Sequence, residues 1–203
     1  AFTLKFEQDI SDNTIFKNTS RYAKTTQEML LTSPSNYSTT ANTVTRSMHA
    51  RWQENEILTN QSNFTTEIQT GMLLHKISTG IELTKENQLT KNYTAQTAQT
   101  SNLYNPTNIS WDDLSLSGQK SDGETTTVGA YLFDSINIGE KVIFTGGGRF
   151  DKYDTTNDII SSTLVPSTIE DKGHLNSYKA GLVYKLVDNG SVYWKAEIEY
   201  IYY

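Results

Sequence analysis

The segment FTGGGRFDKYD, residues 144–154, places three consecutive glycines between aromatic and charged side chains. A phosphate-binding P-loop needs a lysine and a hydroxyl residue after its glycines at the start of a helix, whereas Gly148 is followed by Arg149 and Phe150. A flexible linker is disfavoured because the apolar run 142–144 leads directly into the glycines. The segment therefore predicts a β-strand at a point where the sheet bends or another backbone approaches closely.

Apolar and polar side chains alternate along much of the chain on both sides of this segment. Residues 2, 4 and 6 are apolar and residues 3, 5 and 7 polar or charged, and segments 178–186 and 192–202 alternate in the same way. A period of two predicts strands with one apolar and one polar face. Eight strands are predicted, at about residues 2–7, 14–26, 44–68, 73–86, 125–136, 141–153, 178–186 and 192–203.

Short turns and long polar segments alternate between the predicted strands. The turns fall at residues 11–13, 69–72, 137–140 and 187–190, and the long loops at about 27–43, 87–124 and 154–175. This asymmetry is typical of outer-membrane barrels. The predicted fold class is therefore all-β, an antiparallel up-and-down transmembrane β-barrel of about eight strands with three long loops on one side. An even strand count lets the last strand close on the first and removes both sheet edges.

Composition narrows the class of protein. The 203 residues suit one β-barrel domain, residues 1–203, and the absence of cysteine excludes disulfides and catalytic thiols. A formal charge of -6 argues against nucleic acid as a partner. No apolar run is long enough for a transmembrane helix, but a mean hydropathy of -0.54 is compatible with a barrel, where only every second wall residue meets lipid. A soluble lipocalin-like binding barrel, with apolar residues inside, is the alternative.

The polar parity of the strands carries charges of both signs. We expect these side chains to form ion pairs in a narrow lumen while the apolar parity faces lipid. The residues expected to pair are Lys5, Glu7, Arg149, Asp151, Lys195 and Glu197. The glycines expected to serve the curvature of the wall are Gly146, Gly147 and Gly148.

Catalytic and metal sites are not predicted. The three histidines, His49, His75 and His174, lack metal-ligand spacing such as His-x-x-x-His, and no nucleophile-elbow pattern occurs. Carboxylates at 112–113, or at 151 and 154, could hold calcium, but solvated acids are the favoured interpretation. We therefore predict no enzyme activity, no catalytic residue, no metal and no cofactor.

Four quoted segments together resemble the barrel of a TonB-dependent siderophore receptor, of the catecholate subgroup found in Gram-negative outer membranes. They are FTTEIQTGMLLHKISTGIEL (64–83), NLYNP (102–106), TTTVGAYLFDSINIGEKVIFTGGGRFDKY (125–153) and YKAGLVYKLVDNGSVY (178–193). The combination that carries the resemblance is His75, Gly80-Ile81-Glu82, Tyr131-x-x-Asp134 and Gly146-Gly-x-Arg149-x-Asp151. Within it, His75 and Glu82 are interpreted as wall structure rather than as ligand contacts.

The resemblance implies ferric-siderophore import through a barrel of about 22 strands that encloses a plug and a TonB box. Loop aromatics and arginines would bind the anionic, planar catecholate. The candidates in this sequence are Arg46, Arg51, Trp52, Tyr93, Tyr104 and Trp111. The alternative is that the aromatics form a girdle at the membrane interface and that the arginines pair with lumen acids.

The sequence also departs from the plan of that family. A plug, a TonB box and about 14 strands are missing, and the tail WKAEIEYIYY (194–203) resembles the last strand of a small closed barrel. We therefore expect an excised, re-closed piece of a receptor wall that is transport-incompetent and presents its loops. The alternative is an engineered minibarrel scaffold or antigen without a ligand. The expected partners are a lipid bilayer or detergent and, in the parent receptor, a ferric catecholate siderophore, with no TonB contact and a monomeric state.

Overall fold

The computed structural model describes residues 1–108, 110–111, 114–187 and 189–202. These residues contain nine strands: β1 Phe2–Ser11, β2 Thr14–Ser38, β3 Thr43–Thr70, β4 Leu73–Tyr93, β5 Gln99–Asn102, β6 Leu116–Ile138, β7 Val142–Ile160, β8 Pro166–Val187 and β9 Gly190–Tyr202. Across these ranges no helix is long and apolar enough to cross a membrane. Eight long strands agree with the number predicted, and the short β5 is an addition.

All nine strands belong to one antiparallel sheet, so the predicted all-β antiparallel class is confirmed. The order is β1-β2-β3-β4-β6-β7-β8-β9, and β5 pairs with the loop end of β3. Among the described residues β1 pairs only with β2 and β9 only with β8, so the predicted closure of the last strand on the first is wrong. Closure depends on strand tilt and stagger, and a period of two specifies only the face that each residue occupies.

Two of the three predicted long loops are wrong. β2 and β3 are joined by residues 39–42 alone, and β7 and β8 by residues 161–165. The third loop is shortened to residues 94–115, which include β5. Outside an apolar band both faces of a strand contact water, so the alternating sequence signal disappears while backbone pairing continues. Polar segments rich in Ser, Thr and Asn are therefore predicted to be loops, although the structure shows that they form strands.

The strands are much longer than a membrane requires. A strand crosses a bilayer in about 9–11 residues, whereas β3 has 28. The large apolar side chains of one parity are concentrated on the turn side, for example from Leu73 to Leu83 on β4. Beyond them, on the same face, Lys85 begins rows of charged residues. Only the turn-side part of each strand can thus lie in hydrocarbon.

Because residues paired across neighbouring strands lie on the same side, the alternation of apolar and polar residues gives the whole sheet two distinct faces. We call the side that bears Phe6, Phe64, Ile81, Leu132, Leu182 and Ile198 the apolar face, and the side that bears Glu7, Glu82, Arg149, Asp151, Lys179 and Glu197 the charged face. No apolar side chain of the described residues is buried, and Phe2, Leu182 and Ile198 are 65%, 44% and 52% exposed. A lipocalin-like barrel buries such residues in its interior, whereas an exposed apolar face suits a lipid environment.

The glycines of residues 146–148 lie on both faces of β7. Gly147 is on the charged face opposite Phe133, and a Cβ there would overlap the carbonyl oxygen of Leu132 and lie 2.7 Å from Phe133 Cα. Gly146 and Gly148 are on the apolar face beside the rings of Phe144 and Tyr178. The close approach of β6 thus requires glycine at 147, and the role of all three in wall curvature stays a prediction.

Replacing Gly147 by alanine tests this close approach. We expect Gly147→Ala to destabilise the folded chain by about 3 kcal/mol, the upper end of the usual cost of overpacking, because backbone as well as a ring must move. Gly181→Ala is the matched control, since Gly181 shares the charged face and a Cβ there would meet nothing closer than 3.5 Å. Urea unfolding of the full chain in lipid vesicles measures both, and equal midpoints would contradict the packing argument.

Candidate functional site

Arg149 is the centre of an ion-pair cluster on the charged face. Its Nε and Nη2 atoms donate to the two carboxylate oxygens of Asp151 at 2.7 Å each, which makes this pair bidentate. Nη2 also donates to Glu82 Oε1 at 3.0 Å. The side chains of Arg149, Glu82 and Asp151 are 29%, 30% and 13% exposed. One guanidinium therefore neutralises two partly buried carboxylates.

A glycine allows these three side chains to meet although they come from strands that are not adjacent. Glu82 on β4 and Asp151 on β7 both pair with Gly129 on the intervening β6. A Cβ on Gly129 would overlap Asp151 Oδ1 and lie 2.7 Å from Arg149 Nη2. The missing side chain at 129 thus leaves a gap through which Arg149 reaches Glu82.

Beside the Arg149 cluster, the Tyr131 side chain also extends over a glycine of the neighbouring strand. Its hydroxyl lies over Gly80 on the neighbouring β4, where a Cβ would be 2.6 Å from the hydroxyl oxygen. That hydroxyl accepts hydrogen bonds from Asn63 Nδ2 at 2.8 Å and Gln61 Nε2 at 3.3 Å on β3. The charged face therefore has two neighbouring polar clusters, one that extends from β3 to β6 and one that extends from β4 to β7.

Further ion pairs lie toward both edges of the charged face. Lys195 and Glu197 are 2.7 Å apart on β9, and Glu197 is also 3.8 Å from Lys179. Glu7 pairs with Lys17 at 3.0 Å rather than with Lys5, for which the described residues provide no ion-pair partner. All six residues expected to form lumen ion pairs thus share one face, and the lumen itself stays a prediction.

The sequence motif that includes His75 divides between the two faces. His75 Nδ1 lies 2.6 Å from Asp134 Oδ2, and both side chains are on the apolar face. Asp134 pairs across the strands with Gly146. Sequence reasoning assigned His75 to wall structure and missed this pair, although both residues occupy the parity of Ile77 and Leu132. A polar residue at an apolar parity was the available signal.

The six candidate ligand residues do not come together. Arg51 is on the charged face at the loop end, where it lines a cavity of about 440 Å³ with Met29, His49, Asn92 and Gln119. Arg46 and Trp52 lie on the opposite face, where Arg46 Nη1 donates to Thr107 O at 2.9 Å. Tyr104 is 79% exposed in the β5–β6 connection. Arg51 alone therefore lies on the charged face.

The remaining aromatic candidates contact neighbouring strands. Lys91 Nζ lies 4.9 Å from the centre of the Trp52 ring, and Trp111 Nε1 donates to Thr32 Oγ1 at 2.8 Å. The Tyr93 hydroxyl donates a hydrogen bond to Glu28, and this bond raises the pKa of Tyr93 above its ordinary value. These contacts join neighbouring segments near the ends of the strands that lie next to the loops.

Of the acid pairs weighed for calcium, residues 112 and 113 lie outside the described residues. Asp151 and Asp154 point to opposite faces, because three residues separate them on one strand. Asp151 binds Arg149, and Asp154 is 3.0 Å from Lys172. These two carboxylates therefore cannot share one cation.

A two-faced antiparallel wall with paired charges on one side is the architecture of a membrane receptor barrel. The model of the family described as TonB dependent receptor-like, beta-barrel, matches residues 1–196. The chain belongs to this family. Its relatives are TonB-dependent siderophore receptors of the Gram-negative outer membrane, as the sequence predicted, and they are receptors rather than enzymes.

Individual receptors of this family show how similar the chain is to known proteins. The catecholate siderophore receptor Fiu of Escherichia coli K12 is 34% identical over 94% of this chain and 29% of its own length. The open form of the ferric-catecholate import receptor Fiu superposes with a TM-score of 0.85 at 32% identity, over 98% of this chain and 34% of that one. The receptor PiuA of Acinetobacter baumannii shares the fold, with a TM-score of 0.82 at 24% identity, over 94% of this chain and 30% of its own. The chain spans about 29% of the length of the curated receptors it matches.

Removal of the Arg149 guanidinium tests the cluster. We expect Arg149→Met to lower the free energy of unfolding by about 3 kcal/mol, because it leaves two partly buried carboxylates without a cation. Lys172→Met is the matched control, since its pair with Asp154 is 61% and 49% exposed and its loss should leave the unfolding midpoint almost unchanged. Urea unfolding of the full chain in vesicles measures both. If Asp151→Asn in the Arg149→Met background recovers nothing, the loss does not come from unpaired charge.

Proposed function

We propose that this chain forms part of the wall of a TonB-dependent receptor that imports a ferric catecholate siderophore. The observation that carries the proposal is a sheet with one exposed apolar face and one ion-paired face, in a chain that a receptor-barrel family matches over residues 1–196. The apolar face meets the hydrocarbon of the outer membrane. The charged face lines the interior, where water and polar partners are available.

The siderophore contact within this segment is the cavity beside Arg51. Ferric catecholate complexes are anionic and carry planar rings, which a guanidinium complements by charge and by stacking. Arg51 shares the charged face with His49 at the loop end, above the membrane-spanning rows. Trp52 and Tyr93 lie on the other face, where they serve as an aromatic girdle and as ties between strands.

The 203 residues alone do not transport. Their described strands form an open sheet with free edges at β1 and β9, so they enclose no passage. By themselves they present the connections 39–42, 94–115 and 161–165 at one end of the sheet. The partners that we propose for this segment are lipid and the ferric siderophore, in a monomeric receptor, while contact with TonB belongs to other parts of such a receptor.

Two arginine variants test the siderophore contact in iron-limited cells that make the protein from its own gene. We expect Arg51→Met to raise by about tenfold the concentration of a ferric catecholate needed for half-maximal uptake of labelled iron, the effect of one lost charge-assisted contact. Arg46→Met is the control, because Arg46 lies on the opposite face. Uptake is measured with ferric 2,3-dihydroxybenzoate.

The outcomes distinguish a siderophore receptor from a scaffold without a ligand. Uptake that neither substitution changes would reject Arg51 as a contact. If deletion of the gene leaves ferric-catecholate uptake unchanged, and the chain still binds antibodies raised against its loop-end connections, the receptor proposal fails and a scaffold without a ligand is supported.

A further inference from the structure

The sheet is interrupted at the loop end of β3, beside the Arg51 cavity. Pairing of β3 with β4 ends at Arg51 and Asn92, and pairing of β3 with β5 begins at Arg46 and Gln99. Six residues, 93–98, therefore lie opposite the four residues of β3 that separate these two pairs. The connection thus has two residues more than continuous pairing needs. Extra residues of this kind are common next to binding sites, where they end strand pairing locally.

The pairing of β4 with β6 is irregular at the same level. There the single residue Asn92 lies opposite three residues of β6, 117–119. Ser117 Oγ donates to Asn92 O at 3.0 Å, and Asn92 Nδ2 donates to Gln119 Oε1 at 3.4 Å. Side-chain bonds to β6 thus hold the end of β4, while its edge toward β3 is left open. The result is a gap in the wall between β3 and the end of β4.

Met48 directs its main chain into this gap. Alternate residues of an antiparallel strand turn their N–H and C=O groups toward the same neighbouring strand. Glu67 donates its N–H to Asn13 O at 2.9 Å, on the β2 side. Asn42 O accepts from Leu103 N at 2.8 Å, on the β5 side. Even-numbered residues of β3 therefore face β4 and β5. Within the described ranges no residue of β4 or β5 pairs with Met48, so its N–H and C=O lack a partner strand there.

The cavity of about 440 Å³ connects this gap with the Arg51 side chain. Met29, His49 and Arg51 line it from the charged face. Met48 and Ala50 line it as well, although their side chains lie on the apolar face, so they border it with their main chain. A main-chain N–H without a partner strand thus opens into the same space as a guanidinium. Main-chain donors of this kind fix the orientation of polar ligand groups in binding sites.

We propose that the Met48 N–H donates a hydrogen bond to a carbonyl oxygen attached to the catechol ring of the siderophore. Met48 and Arg51 are three residues apart, about 10 Å along the strand, a distance that an arginine side chain and a benzoyl ring together cover. One ring can therefore present its anionic oxygens to Arg51 and its carbonyl oxygen to Met48. Carboxylates and amides both supply such an oxygen, whereas catechol itself does not. The contact rests on the proposed function and names the part of the ligand that the cavity distinguishes.

Uptake of two ferric complexes by iron-limited cells that make the protein from its own gene tests the contact. Ferric 2,3-dihydroxybenzamide and ferric catechol have the same formal charge and differ in the carbonyl-bearing amide group. We expect half-maximal uptake of the benzamide complex at an about fivefold lower concentration, the effect of one hydrogen bond. Arg51→Met should raise both concentrations and keep their ratio, because the guanidinium binds the charge that both complexes carry.

Two changes to the gap remove the donor. Met48→Pro eliminates the N–H without loss of a ladder bond, because this N–H faces the gap. It should abolish the fivefold preference, whereas Met48→Leu keeps the N–H and should retain the preference. Deletion of residues 96 and 97 gives β5 the register of β4, so Ala95 then pairs with Met48 and occupies its N–H. This deletion should abolish the preference as well.

The outcomes separate this contact from the proposed function. Immunoblots of the outer membrane verify that each variant accumulates, and if Met48→Pro does not, the deletion decides alone. Gene-dependent uptake with equal half-maximal concentrations in the wild type would overturn the contact and leave the proposed function standing. A preference that persists in an accumulated Met48→Pro or deletion variant would do the same. Uptake of both complexes that is unchanged when the gene is deleted would overturn the proposed function, and this contact with it.

Discussion

In-register pairing of strands with a strict two-residue alternation is the constraint on which every other feature depends. A slip of one residue between neighbouring strands would move each side chain to the opposite face. Glu82, Gly129 and Asp151 would then no longer share a row, and the carboxylates would enter the apolar face. The sheet has no buried apolar core among its described residues, so register is held by backbone pairing and by side-chain contacts across neighbouring strands.

Three glycines on the charged face help to fix that register. Gly80, Gly129 and Gly147 each lie where a large side chain of the adjacent strand crosses the sheet. Tyr131, Arg149 and Phe133 could not take these positions if the strands shifted, because a Cβ would stand in their place. An ion pair that contributes little net stability can still oppose misalignment, since the wrong register leaves its charges unpaired. Glycine and ion pair thus act together in specifying the wall.

Alternation in the sequence predicted the strand faces and the short turns but not the extent or closure of the sheet. From Phe2 to Phe6 the parity is unambiguous because one side meets hydrocarbon. From Thr25 to Ser38 both sides meet water, so β2 continues without a sequence signal. The ligand candidates could not be divided between the faces for the same reason, since segments predicted as loops carry no parity by which Arg46 and Arg51 could be assigned to opposite faces. The pair of His75 and Asp134 was not predicted because both residues occupy positions of the apolar parity.

Polar residues within the apolar face also indicate where hydrocarbon ends. Asn18 and Asn60 exchange two side-chain hydrogen bonds of 3.1 Å, and the hydroxyls of Ser20 and Ser62 accept their remaining donors at 2.7 and 2.9 Å. His75 and Asp134 likewise bind one another. A polar group in hydrocarbon is costly unless it has a partner. Because Asn18, Asn60, His75 and Asp134 each have a side-chain partner, they can lie among the apolar rows, whereas the row that holds Lys85, Asp154 and Lys172 marks the loop-side end of the hydrocarbon.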